Sequence, residues 1–159
     1  MRKNLIAICV LILALLSSGS VSNDSGTSIS RPYYGVWQIV KVFTYGPVSA
    51  YDQKDIDQLL GQKVTYSDKV AGIANREVSN PYYKESDFTD GDFVLYFNLT
   101  LAGIGVKETS IRTIEVFSDI DCKNNYTETG SIFFLTNSND RLIMYDQGVF
   151  FEMKKDQSK

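Results

Sequence analysis

The segment SIFFLTNSNDRLIMYDQGVFFEMK, residues 131–154, carries the pattern that decides the fold. Three apolar runs, at 131–136, 141–145 and 148–154, are separated by short polar stretches. Connections of this length and composition join antiparallel neighbours, so the segment predicts three consecutive strands. In the last run every second residue from Val149 is apolar, which is typical of a strand with a buried face.

Two short helices are predicted upstream of this segment. Ser49 followed by Asp52 suits a capping box at the start of the first helix. In the second helix, Phe93, Phe97 and Leu101 recur every four residues and would form one apolar face. The helices are placed at about 50–60 and 90–97, and four further strands at 35–43, 62–66, 69–78 and 110–117.

This order of elements indicates a mainly β domain with its tightest connections near the end. We expect an antiparallel up-and-down β-barrel of seven or eight strands with two short helices. Closure of such a barrel removes the exposed sheet edges that would otherwise invite aggregation. A β-sandwich is the alternative architecture.

The first 22 residues have the pattern of a secretory signal peptide. Arg2 and Lys3 precede twelve apolar residues at 5–16, and small residues follow to position 22. A membrane-spanning helix needs about 20 apolar residues, so this run is too short for a permanent anchor. We predict a signal peptide at 1–22, a flexible polar leader at 23–33 and a single domain at 34–155, secreted or otherwise extracytoplasmic.

Composition excludes several classes of function. The sequence contains no histidine, which excludes Ser-His-Asp and Cys-His nucleophilic systems and metal sites built on imidazole. The chain would keep only Cys122 after loss of the signal, so no internal disulfide is expected. Removing Arg2 and Lys3 changes the formal charge from −3 to −5, which offers no electrostatic footprint for nucleic acid. We expect no metal, no cofactor and no enzymatic activity.

Several short motifs resemble those of lipocalins and related calycins, and in particular small exported bacterial lipocalin-like proteins. The Gly-x-Trp pattern at 35–37 is similar to the opening strand of that family, and further similarity lies in 59–67, 80–83 and 148–152. The resemblance implies an eight-stranded barrel closed at one end by Trp37, with a cavity for a small hydrophobic molecule. It also implies a basic residue packed over this tryptophan, for which Arg112 and Arg141 are the candidates.

Aromatic residues are abundant on the predicted strands. In a small barrel, inward aromatic side chains either fill the interior or line a cavity. Strict alternation places Lys41 on the face of Trp37, and we expect a slip or bulge to move it to the surface. Arg112 shares the face of Ile114 and could meet the head group of an anionic ligand. The predicted ligand-binding residues are Trp37, Phe43, Tyr66, Arg112, Val116, Phe134 and Met144.

The sequence leaves three functions open. The first is binding of a small hydrophobic or amphipathic ligand inside the barrel. The second is a secreted protein-interaction module or inhibitor with a filled core, which would contact an extracellular partner through tyrosines at 45–51 and 80–88. The third is a carboxylate-dependent hydrolase, which needs two acids facing each other across a cleft.

Overall fold

One antiparallel sheet of nine strands organises residues 31–157, the part of the chain that the computed structural model describes. The predicted signal peptide at 1–22 lies outside these residues. Two helices and a 3₁₀ turn at Ala102–Ile104 accompany the sheet. The strands are β1 (Gly35–Tyr45), β2 (Lys63–Tyr66), β3 (Val70–Ile73), β4 (Arg76–Ser79), β5 (Tyr82–Thr89), β6 (Ser110–Phe117), β7 (Ile132–Leu135), β8 (Arg141–Asp146) and β9 (Val149–Lys155), and the helices are α1 (Gln53–Leu59) and α2 (Asp90–Phe97).

The strands follow the order β4-β3-β2-β1-β9-β8-β7-β6-β5, so β4 and β5 form the two edges. The sheet curls into a half-barrel. This brings β5 close to the end of β2, where the Tyr83 hydroxyl donates a 2.8 Å hydrogen bond to the Ser67 carbonyl. Among the described residues no ladder joins β4 to β5. The mainly β, antiparallel architecture with two helices is confirmed, whereas closure into a barrel stays a prediction.

The structure has more strands than the predicted seven or eight. The predicted strand at 69–78 is a hairpin of β3 and β4, in which Asn75 takes a left-handed φ of 70° at the turn. Asparagine tolerates this conformation, which tight hairpin turns require. The predicted turn at 80–83 runs into β5, whose Lys84, Glu85 and Asp87 conceal the alternation of a strand.

The two helices begin at capping boxes. Thr89 and Asp92 cap α2, which spans the residues that the sequence predicts. In α1 the capping pair is Asp52 and Asp55, one turn later than the predicted pair that begins at Ser49. The Ser49 hydroxyl instead accepts a hydrogen bond from the Tyr51 amide, in the connection before the helix.

Apolar side chains form one core on each face of the half-barrel. On the concave face, Tyr66 stacks on Phe133 with ring centroids 4.2 Å apart, and Tyr33 meets Phe133 at 5.3 Å. On the convex face, α2 and the segment after it cover β6 to β9. This convex core consists of Phe93, Leu101, Ile104, Ile111, Phe134, Ile143 and Phe150.

The folded domain includes the end of the predicted leader. Tyr33 is only 1% exposed, and its carbonyl accepts a 2.8 Å hydrogen bond from the Trp37 indole. Arg31 forms a 2.8 Å ion pair with Glu85 of β5. Arg31 and Tyr33 therefore pack against the described sheet, and the domain boundary itself stays a prediction. Within residues 31–157, no helix is long and apolar enough to cross a membrane.

Candidate functional site

The predicted ligand-binding residues fall on both faces of the sheet. Four of them belong to the concave core, where each is at most 2% exposed. Of these four residues, Tyr66 stacks directly on Phe133, with ring centroids 4.2 Å apart. The four residues are Trp37, Tyr66, Val116 and Met144.

Phe43 and Phe134 pack in the convex core instead. In β1 the register with β9 shifts between Ile39 and Lys41 and again between Val42 and Thr44. These bulges turn Lys41 and Phe43 away from the face of Trp37. The expected displacement of Lys41 to the surface is confirmed, since 62% of its side chain is exposed. The position of Phe134 on the convex face has a different cause. Strand β7 is buried on both faces, so its sequence does not alternate between apolar and polar residues.

A groove of about 350 Å³ opens on the convex side, next to Phe43. Its volume lies within the range of roughly 300–1,000 Å³ that small-molecule sites occupy. The apolar part of its lining includes Phe43, Ile104, Ile111 and Ile143. The polar part consists of Lys107, Glu108, Ser110, Arg112, Thr136, Asn137 and Arg141.

Arg141, at the start of β8, is the central polar group of this groove. Its guanidinium carbon lies 4.8 Å from the centroid of the Phe43 ring, a cation–π arrangement. Its Nε is 3.3 Å from the Glu152 carboxylate, yet the N–H does not point at an acceptor. Among the described residues the two terminal nitrogens of Arg141 also have no hydrogen-bond partner. The groove thus holds a guanidinium with unused donors above an apolar surface.

The carboxylate of Glu152, on β9, forms an ion pair with this guanidinium. Its side chain is 10% exposed and lies between two cations, Arg141 and Lys41, with Lys41 Nζ 3.6 Å from the carboxylate. A carboxylate this deeply placed needs such partners, because burial removes its hydration. The pair of opposite charges therefore fixes Arg141 over Phe43.

Arg112 lines the same groove but already has acidic partners. Its Nε and Nη2 lie 2.5 and 3.2 Å from the two carboxylate oxygens of Asp87, and its Nη1 lies 3.4 Å from Glu85. The hydrogen bonds that Arg112 donates to Asp87 raise the pKa of the Arg112 guanidinium above its usual value. Arg112 therefore forms part of the wall and offers less free positive charge than Arg141.

The segment after the 3₁₀ turn forms the outer rim. The Lys107 amide donates a 3.0 Å hydrogen bond to the Glu108 carboxylate, which also accepts a bond from the Asn137 side chain. These contacts tie the segment to the β7–β8 turn. Among the described residues the Lys107 ammonium has no ion-pair partner.

The tyrosines predicted as surface anchors are only partly available. Tyr83 is 5% exposed, and the Tyr51 hydroxyl donates a 2.7 Å hydrogen bond to the Asp146 carboxylate. Burial, followed by this hydrogen bond, raises the pKa of Tyr51 to about 12. Tyr45 and Tyr82 are exposed. Tyr51 also lines a second open groove, of about 620 Å³, between α1 and the β3–β4 hairpin.

The described residues offer no cluster of three or more His, Cys, Asp or Glu side chains that could hold a metal ion. Comparisons with protein-family models, with curated proteins and with solved structures find no match for this chain. The resemblance to lipocalins is therefore neither supported nor contradicted by a known relative.

Proposed function

We propose that this chain is an exported, lipocalin-like protein that binds a small amphipathic anion. The ligand would occupy the convex groove rather than the concave core. The observation that supports this most is the Arg141 guanidinium, held over Phe43 with unused donors beside an apolar surface. Export is proposed from the signal-like sequence of residues 1–22.

The two parts of the groove suit the two parts of an amphipathic molecule. An apolar tail would cover the partly exposed side chains of Phe43, Val106 and Leu135, and would gain about 25 cal/mol for each Å² of apolar surface removed from water. An anionic head group would accept hydrogen bonds from Arg141, and such charge-assisted bonds are stronger than neutral ones. We assign binding without catalysis, because the acids of the groove are engaged with Lys41, Arg141 and Asn137.

Isothermal titration calorimetry with decyl sulfate, below its micelle concentration, tests this function. We expect saturable binding of one molecule per chain. Arg141→Met keeps much of the packing on Phe43 and removes the charge, so affinity should fall by at least about tenfold, given about 1.5–3 kcal/mol for a hydrogen bond to a charged group. Arg76→Met is the matched control, because Arg76, the first residue of β4, pairs with Glu128 and neither residue lines this groove.

Two outcomes would contradict the proposal. One is a wild-type protein that does not bind decyl sulfate. The other is binding that Arg141→Met leaves unchanged. A response of Trp37 fluorescence to the ligand would then place the molecule on the concave face. Methyl chemical shifts that move at Ile104 and Ile143, with the Trp37 indole signal unchanged, would support the convex groove.

A further inference from the structure

The charge beneath the groove is fixed by a small set of residues. Glu152 lies within ion-pair distance of both Lys41 and Arg141, at 3.6 and 3.3 Å. Two cations and one carboxylate leave a single positive charge at this point. Because the Glu152 side chain is only 10% exposed, its negative charge acts on the groove with little screening by water.

The other charges at the rim balance one another. Arg112 is matched by Asp87, and its second acidic partner, Glu85, is also paired with Arg31, which lies outside the groove lining. Lys107 is followed directly by Glu108, whose carboxylate lies against the Lys107 amide. Lys154, the ladder partner of Arg141, and Asp140 add one charge of each sign beside the groove. The sum of these charges is therefore the single positive charge set by Lys41, Arg141 and Glu152.

A doubly charged head group is poorly matched to this charge. The cost of removing an ion from water grows with the square of its charge, whereas its attraction to a fixed positive charge grows only in proportion. A dianion would also leave an uncompensated negative charge next to Glu152. Resting on the proposed function, we infer that the groove selects singly charged head groups, such as sulfates or carboxylates, over phosphate monoesters.

Decyl sulfate and decyl phosphate, compared by calorimetry on the purified protein at pH 8, test the inference. The sulfate carries one charge and the phosphate nearly two, because its second pKa is about 6. The wild-type protein should bind the sulfate at least about tenfold more tightly, a difference of about 1.4 kcal/mol. Glu152→Gln removes a negative charge and so raises the net positive charge of the groove by one. The preference for sulfate over phosphate should therefore fall by about tenfold.

Lys41→Gln is the complementary variant and also covers the case in which Glu152→Gln does not fold. It removes a largely exposed charge next to Glu152, so the preference for sulfate should rise by about threefold. Lys84→Gln is the matched control, because Lys84 pairs with Glu115 on β6, away from Arg141 and Glu152, and should leave the ratio unchanged.

The results of these titrations distinguish failure of the charge preference from failure of the proposed ligand binding. Phosphate that binds as tightly as sulfate to the wild-type protein, or a ratio that Lys41→Gln leaves unchanged, overturns the inference and leaves ligand binding intact. Failure of both compounds to bind, or binding unaffected by Arg141→Met, overturns the proposed function itself.

Discussion

Thr113 of β6 is fully buried in the described structure, and its hydroxyl oxygen has no hydrogen-bond partner there. It pairs with Phe134 across the β6–β7 ladder, on the convex face. A buried hydroxyl without a partner costs free energy, since it has lost its hydrogen bonds to water. The unpaired hydroxyl of Thr113 therefore lowers the free energy of unfolding of the protein.

Thr113→Val should raise the free energy of unfolding by about 1 kcal/mol, because valine has nearly the same shape and no group to satisfy. Urea denaturation measures this change. Thr136→Val is the comparison, since the Thr136 hydroxyl donates a 2.7 Å hydrogen bond to the Arg141 carbonyl. That variant should lose stability, and a Thr113→Val protein that is equally destabilised would show that the hydroxyl has a partner.

The Tyr51 hydroxyl contributes to the free energy of unfolding, and this contribution decreases at alkaline pH. Its pKa is about 12 in the folded chain, raised from 10.0 first by burial and then by the hydrogen bond to Asp146. A raised pKa means that folding favours the protonated phenol. This contribution is fully present below pH 10 and is lost as the pH rises towards 12.

Urea denaturation at intervals between pH 8 and pH 12 measures this loss. Tyr51→Phe should be less stable than the wild type at pH 8 by roughly 1–3 kcal/mol, because Asp146 loses a partner. The difference should narrow between pH 10 and 12. Tyr45→Phe, at an exposed position, should behave as the wild type does. A constant gap between Tyr51→Phe and wild type would contradict the linkage.

At the scale of single elements, α2 determines how the convex face is covered. Its capping box uses Thr89 and Asp92, and the Asp90 carboxylate accepts a 2.7 Å hydrogen bond from the Leu101 amide. The same hydrogen bonds at Thr89 lower the pKa of Asp92. Hydrogen bonds from side chains therefore connect the start of α2 to the segment that follows the helix. These contacts keep Phe93 and Leu101 in one core.

Thr89→Ala should destabilise the protein by about 1 kcal/mol, because it removes the hydroxyl that caps the Asp92 amide. Thr89→Ser keeps a capping oxygen and should remain close to wild type. Thermal denaturation followed by circular dichroism distinguishes the two variants. If both lose the same stability, the methyl group of Thr89 matters and the cap does not.

Elements with complete local signals could be predicted from the sequence, and those shaped by tertiary contacts could not. Helix α2 has both its cap and its four-residue repeat within a single stretch, and it lies where predicted. The bulges of β1 arise from its pairing with β9, and nothing in 35–45 alone marks them. They put Phe43 on the convex face, whereas strict alternation from Trp37 predicts it in the barrel interior.

The site was only half predictable for the same reason. Phe43 and Arg112 were expected to contact a ligand, and both line the convex groove. The sequence predicts Arg141 only as a cation over Trp37 and gives no role to Glu152. The sequence does contain a signal for a second core on the convex face. The unbroken apolar runs of β7 to β9 indicate strands that are buried on both faces. A polar residue in such a run lies in a second core, or at its edge.

For the whole molecule, β7 to β9 are the shared layer of the two cores. Their side chains alternate between the concave core around Trp37 and the convex core around Phe150. Neither core can lose these strands without exposing the other. We therefore expect residues 31–157 to unfold in a single cooperative transition.

Phe150→Leu tests this coupling, because it weakens the convex core by roughly 1–2 kcal/mol and does not touch Trp37. Trp37 is the only tryptophan in the sequence, so its fluorescence reports the concave core alone. The urea midpoints from fluorescence and from far-ultraviolet circular dichroism should shift together. A fluorescence midpoint that stays at its wild-type value would show that the cores unfold independently.

The pairing of β1 with β9 means that the ends of the described chain are neighbours, since the Asp156 amide donates a hydrogen bond to the Val36 carbonyl. The edges β4 and β5 are separated only by Asn80 and Pro81, and no ladder between them would be cut there. A circular permutant of residues 31–157, with a linker joining residue 157 to residue 31 and new termini between Asn80 and Pro81, would keep every strand pairing. The connection between β4 and β5 can therefore be moved to the other side of the sheet without changing which strands are neighbours.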